Sequence, residues 1–345
     1  MESDPQNLDT DAVADYLSSH MPGFSGPVSA RKFSDGQSNP TFHLTTECGD
    51  LVLRRKPPGV LLKSAHAVDR EFRVQSALLR SDVPVAKMHV LCEDDGVIGS
   101  AFYIMDHVPG RIFFDPRLPD VDKSDRAAIF NDMGRVLAAL HEVDLQATGL
   151  TDFGAPGNYI ARQVARWSKQ YRASETVNIP AMERLISILE ERLQGGAGEG
   201  EQCLVHGDYR IDNLIFHREE PKVHAVLDWE LSTIGHPFAD LASVIMQWSM
   251  PPGTEGRGLA GIDRSAYGLP TDDAFVSGYC ERRNIPPIKD FGFFLGFCFF
   301  RMAAVLQGVK KRALDGNASN PERGLKMGEL VPEFAAQGLR AIGDD

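Results

Sequence analysis

Apolar and polar residues in the first hundred positions fall into short β-prone runs. Residues 28–33 (VSARKF), 41–46 (TFHLTT) and 51–55 (LVLRR) read as strands separated by the turn-rich pieces SDGQSNP and ECGD. Residues 64–79 predict a helix, because Val68, Phe72, Gln75 and Leu79 recur at helical spacing. Two more strands follow at 85–92 and 101–105, joined by the turn EDDG.

After HVPGR the period lengthens. Residues 124–141 predict a helix with Ser124 as its N-cap, and 159–173 and 180–194 predict two more. The stretch GGAGEGEQ interrupts them as a mobile loop. It lacks the G-x-G-x-x-G spacing and follows a helix rather than a strand, so it is not a dinucleotide turn. Short strands CLVH and HAVLD come next, then helices to the end. The longest apolar run, 291–300 (FGFFLGFCFF), is ten residues long, too short to cross a bilayer, and reads as a buried helix. The expected class is α+β: a β-rich N-lobe over 1–106, a mostly helical C-lobe over 107–345, and a site in the cleft between them.

Composition narrows the classes. The chain has 345 residues, 43 % apolar, with a formal charge of −12, so no basic footprint points to nucleic acid. Its five cysteines include no C-x-x-C pair and indicate neither a disulfide framework nor a structural zinc. The acidic first twenty residues lack the apolar core of a signal peptide. A soluble, cytoplasmic protein is expected, with no membrane association and no protein partner inferred.

The chemistry concentrates in LVHGDYRIDNLIF, residues 204–216, and in HAVLDWE. Asp208 is followed by Asn213 five positions on, and Asp228 ends the next strand. That spacing matches a protein-kinase catalytic loop with its metal-binding aspartate. Oxygen donors without a cysteine or histidine set suit Mg²⁺. Phosphoryl transfer needs a base for the acceptor proton and ligands that hold a metal against the phosphates. Asp208 is assigned the first role, Asn213 and Asp228 the second. In the N-terminal third, the turn bearing Gly36, Gln37, Ser38 and Asn39 could cap ATP phosphates through backbone N–H groups. Either Arg54 or Lys56, which share a strand face, could grip the phosphates, with Glu71 as partner. Free backbone groups at Asp106, His107 and Val108 would pair with an adenine edge. His206 braces the loop.

These residues, with VLRRK, REFR, YIMDHVPGR, LAALH and GHPFADLA, give a chain that resembles the aminoglycoside phosphotransferase and choline-kinase-like family, which has the protein-kinase fold. Within it the runs RRKPPG, SAHAVDREFRV, GNYIARQVARWSKQY and GVKKRALDGNAS look most like the branch fused to acyl-CoA dehydrogenases in animals and free-standing in bacteria. The resemblance implies a bilobal fold, ATP and Mg as cofactors, and Asp240 as the carboxylate bracing the catalytic loop. It places the family's lysine at Arg54. Gly207 stands where a protein kinase has the arginine that reads a phosphorylated activation loop, and the eleven residues between Asp228 and Asp240 cannot house that loop and a peptide platform, so a small-molecule acceptor is expected.

For that acceptor, Tyr159, Arg162, Arg166 and Trp167 lie on a helix, where Arg162 and Arg166 share a face suited to an anionic substrate. The branch points to a hydroxyacyl-CoA or hydroxy acid. An aminoglycoside O-phosphotransferase and a nucleotide-binding pseudokinase are the alternatives.

Overall fold

The structure is a computed structural model that describes residues 8–33, 39–57, 67–253, 256–318 and 320–344. In chain order its elements begin with α1 (Thr10–His20), β1 (Val28–Lys32), β2 (Thr41–Thr46), β3 (Gly49–Arg55), α2 (Val68–Leu78), β4 (Met88–Cys92), α3 (Asp95–Ile98) and β5 (Phe102–Asp106). Next come α4 (Lys123–His141), α5 (Tyr159–Ser174), α6 (Pro180–Gln194), β6 (Cys203–Val205), β7 (Leu214–Phe216), β8 (Val223–Val226) and β9 (Thr233–Gly235). The rest is helical: α7 (Pro237–Trp248), α8 (Arg264–Tyr267), α9 (Asp272–Arg282), α10 (Phe291–Leu314), α11 (Pro321–Gly328) and α12 (Val331–Ile342). Contacts sort the chain into two compact units. The first takes 1–112, 146–150 and 212–232, and the second takes the remainder. Hydropathy pattern alone cannot assign the two segments that return to the first unit, and a single division after residue 106 leaves them out.

The first unit is built on an antiparallel sheet of order β1-β2-β3-β5-β4. Side chains alternate across it. Phe42, Leu44, Leu51, Leu53, Phe102 and Ile104 form one apolar face, covered by Val13 and Leu17 of α1. That helix is absent from the sequence expectations, because only two buried positions one turn apart mark it. Asp9 caps it by accepting the Ala12 N–H at 3.0 Å. The opposite face carries Val52, Tyr103 and Met105 against Val68 of α2. By the same alternation it also carries Asp50 and Arg54. The EDDG turn is a single helical turn, α3, ended by Gly99 at φ +83°. β4 begins at Met88 rather than at 85, and the described part of the second helix starts at Val68, since 58–66 lie outside the described residues. β7 and β8 form a hairpin. Beside it, Arg111 and Phe216 exchange two backbone hydrogen bonds of 2.8 Å. A Cβ on Gly110 would lie 2.3 Å from the Phe216 carbonyl, so only glycine allows this approach.

The second unit packs around α10, whose Phe293, Phe297, Phe300 and Ala304 are buried against α5, α6, α7, α11 and α12. At 24 residues α10 is long and apolar enough to cross a membrane, so the length argument drawn from the ten-residue run fails. Its burial replaces that argument: 67 % of the apolar window is covered by the unit's own helices. α4 starts one residue before Ser124, and Asp122 occupies the N-cap instead. β6 and β9 pair antiparallel and bring the chain to the loop after Val205.

Candidate active site

In the first unit, Arg54 gathers three carboxylates. Its Nε lies 3.0 Å from Glu71 Oε2, and its Nη2 lies 2.8 Å from Asp228 Oδ1 and 3.4 Å from Glu230 Oε2. Glu71 is nearly sealed and further held by the Asn39 amide at 2.8 Å and the Tyr103 hydroxyl at 3.0 Å. Of the two candidate cations, Arg54 is the one paired with Glu71. Lys56 stands 4.0 Å from Asp69 at the surface, and Arg55, on the other face, lies over the Phe42 ring. Asn39 is buried, and its side-chain amide donates to Glu71. Gly36, Gln37 and Ser38 lie outside the described residues.

The electrostatics follow from this crowding. Burial, aided by Asp228 and Glu230, holds the Glu71 carboxyl above its usual value against the pull of Arg54 and Tyr103. Burial alone would lower the Arg54 guanidinium, but Glu71, Tyr103, Asp228 and Glu230 together raise it, so it stays charged. Three carboxylates converge on one guanidinium, and Asp228 and Glu230 keep part of their side chains open to solvent. Such a set suits a divalent cation with oxygen preference. Asn213 joins it through the hairpin: its carbonyl accepts the Leu227 N–H at 2.8 Å, which puts Asn213 and Asp228 at the same end of β7 and β8. Asp228 adopts φ +63°, ψ +60°, a left-handed conformation uncommon outside glycine.

In the segment expected to offer free hinge groups, two N–H groups are engaged. The Asp106 N–H donates to Lys87 O at 2.9 Å, and the His107 N–H to Asp50 O at 3.2 Å. These bonds continue the sheet past β5, a register that hydropathy cannot reveal. The Asp106 carboxylate meets His89 at 2.5 Å. The His107 ring stands edge-on to His43, with centroids 4.7 Å apart, and burial together with the His43 charge pushes its pKa down. Val108 lines a surface cavity of about 380 Å³ with Leu79, Ala86, Lys87 and His224.

The second unit holds the other expected residues. Asp240, one turn into α7, accepts the His206 N–H at 2.6 Å and the Gly207 N–H at 2.9 Å. Its Oδ2 also meets His141 Nε2 at 3.5 Å. Burial pushes this carboxyl up, but His141, the His206 charge and the His206 N–H outweigh it and hold it below the usual value. Gly207 sits at φ +85°, the left-handed turn that lets both N–H groups point at one carboxylate. His206 Nδ1 accepts the Asp208 N–H at 3.2 Å, and Arg210 Nε approaches Asp208 Oδ1 at 3.5 Å. The loop is thus braced by His206 and Asp240, with the Asp208 carboxylate 37 % exposed.

The expected acceptor helix is partly engaged in local contacts. Tyr159 is buried in the helical core. Arg162 donates through Nη1 to the carbonyls of Pro156 and Gly157, at 2.7 and 2.6 Å. Arg166 lies over Trp167, whose indole N–H donates to Gln163 at 3.0 Å. Sequence reasoning missed Glu230, Tyr103, His141 and Arg301. The last donates to Gly207 O at 3.3 Å.

The profile of the phosphotransferase enzyme family matches residues 29–275. The chain belongs to that family. Mouse acyl-CoA dehydrogenase family member 10 is 47 % identical over 94 % of this chain and 30 % of its own length. The chain spans well under half of the relatives it matches, reaching 44 % of mouse acyl-CoA dehydrogenase family member 11. A crystal structure from Ralstonia eutropha, provisionally named an aminoglycoside phosphotransferase, is 46 % identical with a TM-score of 0.88, covering 98 % of this chain and 99 % of that one. The hygromycin phosphotransferase APH(4)-Ia, solved with AMP-PNP and hygromycin B, shares the fold at a TM-score of 0.62 and 15 % identity, over 96 % of this chain and 98 % of its own. The α+β kinase-like fold of this chain agrees with these matches.

Proposed function

We propose that this chain transfers the γ-phosphoryl group of ATP to the hydroxyl of a small molecule, with a hydroxy acid or a hydroxyacyl-CoA as the favoured acceptor, in the cytoplasm. The observation that carries the reading is the Arg54 node, a charged guanidinium fixed by a sealed Glu71 and presented to the half-open Asp228. Arg54 would grip phosphate oxygens in the place the family gives to lysine. Asn213 and Asp228 would hold Mg²⁺, which the oxygen donors around Arg54 suit; bound there, Mg²⁺ neutralises charge on the phosphates. Asp208, on a loop whose backbone is tied to Asp240, would accept the proton of the attacking hydroxyl. The names of the relatives put acyl-CoA chemistry in the same polypeptides as the matched region, which supports an acyl-derived acceptor.

The test uses the purified chain with Mg-ATP and a 4-hydroxy acid, its CoA thioester and kanamycin. Transfer to the first two is expected, and Asp208→Asn should lower it about 10²- to 10⁴-fold. AMP-PNP affinity of that variant should stay within about twofold, because the base acts on the acceptor. Transfer to kanamycin alone would replace the acceptor class. Nucleotide binding without transfer to any hydroxyl would favour a sensor.

A further inference from the structure

Two arginines sunk into the second unit come with carboxylates. Arg283 pairs with Glu201 at 2.6 Å and faces Glu142 at 3.7 Å, and Arg264 pairs with Asp272. Arg301 has no such partner. It lies among α10, α5 and the loop after β6, while part of its side chain stays open to solvent. Its Nη2 donates to the Gly207 carbonyl at 3.3 Å, and it lies 5.9 Å from the Phe297 ring. No carboxylate oxygen of the described residues comes within ion-pair distance of it. A guanidinium has five N–H groups, and a largely buried one without a counter-charge is costly.

The surroundings keep this cation charged without neutralising it. Burial works against the charge, while Tyr159, Cys298, Asp240 and Asp208 favour it. Asp240 cannot swing over, because its two oxygens already hold the loop N–H groups and His141. Asp208 feels Arg301 but pairs with Arg210 instead. The result is a spare positive charge beside the candidate base. Of the two arginines expected from sequence to meet an anion, Arg162 holds its own loop through Nη1, and Arg166 is exposed over the Trp167 ring.

We propose that Arg301 anchors the acceptor by binding one of its oxyanions, and so sets the acceptor hydroxyl beside Asp208. The oxyanion is the carboxylate of a hydroxy acid or a phosphate of an acyl carrier. This inference rests on the phosphotransferase reading for its catalytic meaning, and it selects anionic acceptors over polycationic ones.

The experiment compares wild type, Arg301→Gln and Arg301→Lys on three acceptors: a 4-hydroxy acid, its CoA thioester, and its uncharged N-acetylcysteamine thioester. Arg301→Gln should raise KM for whichever anionic acceptor is used by about 10- to 100-fold, leave KM for the neutral thioester within about twofold, and leave KM for ATP unchanged. Arg301→Lys should recover part of the loss. The acid and the CoA thioester arms separate carboxylate from carrier phosphate as the oxyanion. An equal KM change on all three acceptors, or a kcat loss with every KM unchanged, overturns the proposal. If Arg301→Gln does not fold, Arg301→Lys carries the same arms. Should wild type transfer to none of the three, the acceptor class of the proposed function fails on its own. Calorimetric binding of the hydroxy acid or of its CoA thioester, weakened at least tenfold in Arg301→Gln and less in Arg301→Lys, then still scores Arg301, and unweakened or absent binding of both rejects it.

Discussion

The two units each contain a buried carboxylate at the heart of a polar network, and the networks are built to opposite ends. Around Asp240 everything is consumed: its oxygens take two backbone N–H groups and a histidine, all within a sealed core. Around Glu71 the sealing is graded, from 1 % exposure at Glu71 through 13 % at Arg54 to 34 % at Asp228. The first arrangement satisfies every charge internally and fixes a backbone. The second opens toward solvent at Asp228 and Glu230. A buried polar network is architecture when its donors and acceptors balance, and a site when they do not.

The largest effect should come from emptying the balanced network. Asp240→Ala leaves the His206 and Gly207 N–H groups and His141 without their acceptor, a loss of about 3–5 kcal/mol. Urea denaturation followed by fluorescence measures it. The pH dependence has a defined sign. The folded carboxyl sits below its ordinary value, so its stabilisation is present above about pH 4 and fades as pH falls through the lower folded value. The gap between wild type and Asp240→Asn should therefore be constant from pH 5 to 7 and close only in acid. A variant as stable as wild type would erase the distinction between the two networks.

A smaller change sharpens the open network. Arg54→Lys keeps a cation for Glu71 but loses the fork that reaches Asp228 and Glu230 together. Mg-AMP-PNP affinity should fall roughly 3- to 10-fold. Stability should drop by no more than about 1 kcal/mol, since Asp228 and Glu230 are partly exposed. If Arg54→Lys costs as much stability as Asp240→Ala while nucleotide affinity holds, the Glu71 network is architectural too.

Much of both networks is legible in the chain before folding. Asp208, Asn213 and Asp228 declare themselves by spacing, because loop ligands on adjacent short strands must recur at fixed intervals. Strand alternation correctly puts Arg54 and Lys56 on one face and Arg55 on the other. What periodicity cannot supply is the partner. Lys56 loses to Arg54 because of where α2 docks, and Tyr103 looks like core until Glu71 arrives beneath its hydroxyl. His141 ends an apolar helix whose register hides its meeting with Asp240, 99 positions on. Arg301 closes an apolar run that itself misstates the length of α10. The charged residues after it ride an exposed edge of the same helix, so composition stops marking the element before the hydrogen bonds do. At the segment expected as the hinge, the sheet ladder runs on past β5, with the Asp106 N–H bonded to Lys87 and the His107 N–H to Asp50 of β3.

The smallest effect concerns the helix that carries Asp240. His236 caps α7, its Nδ1 accepting the Phe238 N–H at 3.2 Å, while its ring stacks near Phe294 with centroids 4.7 Å apart. Burial pushes its pKa down to about 4, against a favourable pull from Glu201 and a further push from His141. Protonation would also convert the capping acceptor into a donor at a positive helix end. The unfolded chain binds this proton near pH 6.5 and the folded chain does not, so stability is full above that value and declines as pH falls toward 4. By pH 5 the loss should reach about 1–2 kcal/mol. His236→Asn keeps a capping oxygen and removes the titration, so its unfolding free energy should fall less between pH 7 and 5 than that of wild type. Equal slopes would mean that the ring is hydrated or already charged. Mg-AMP-PNP affinity of the two proteins should stay matched across the same range, because the Arg54 node holds no group that titrates with His236. A pH-dependent divergence there would tie the two networks together and end the contrast between them.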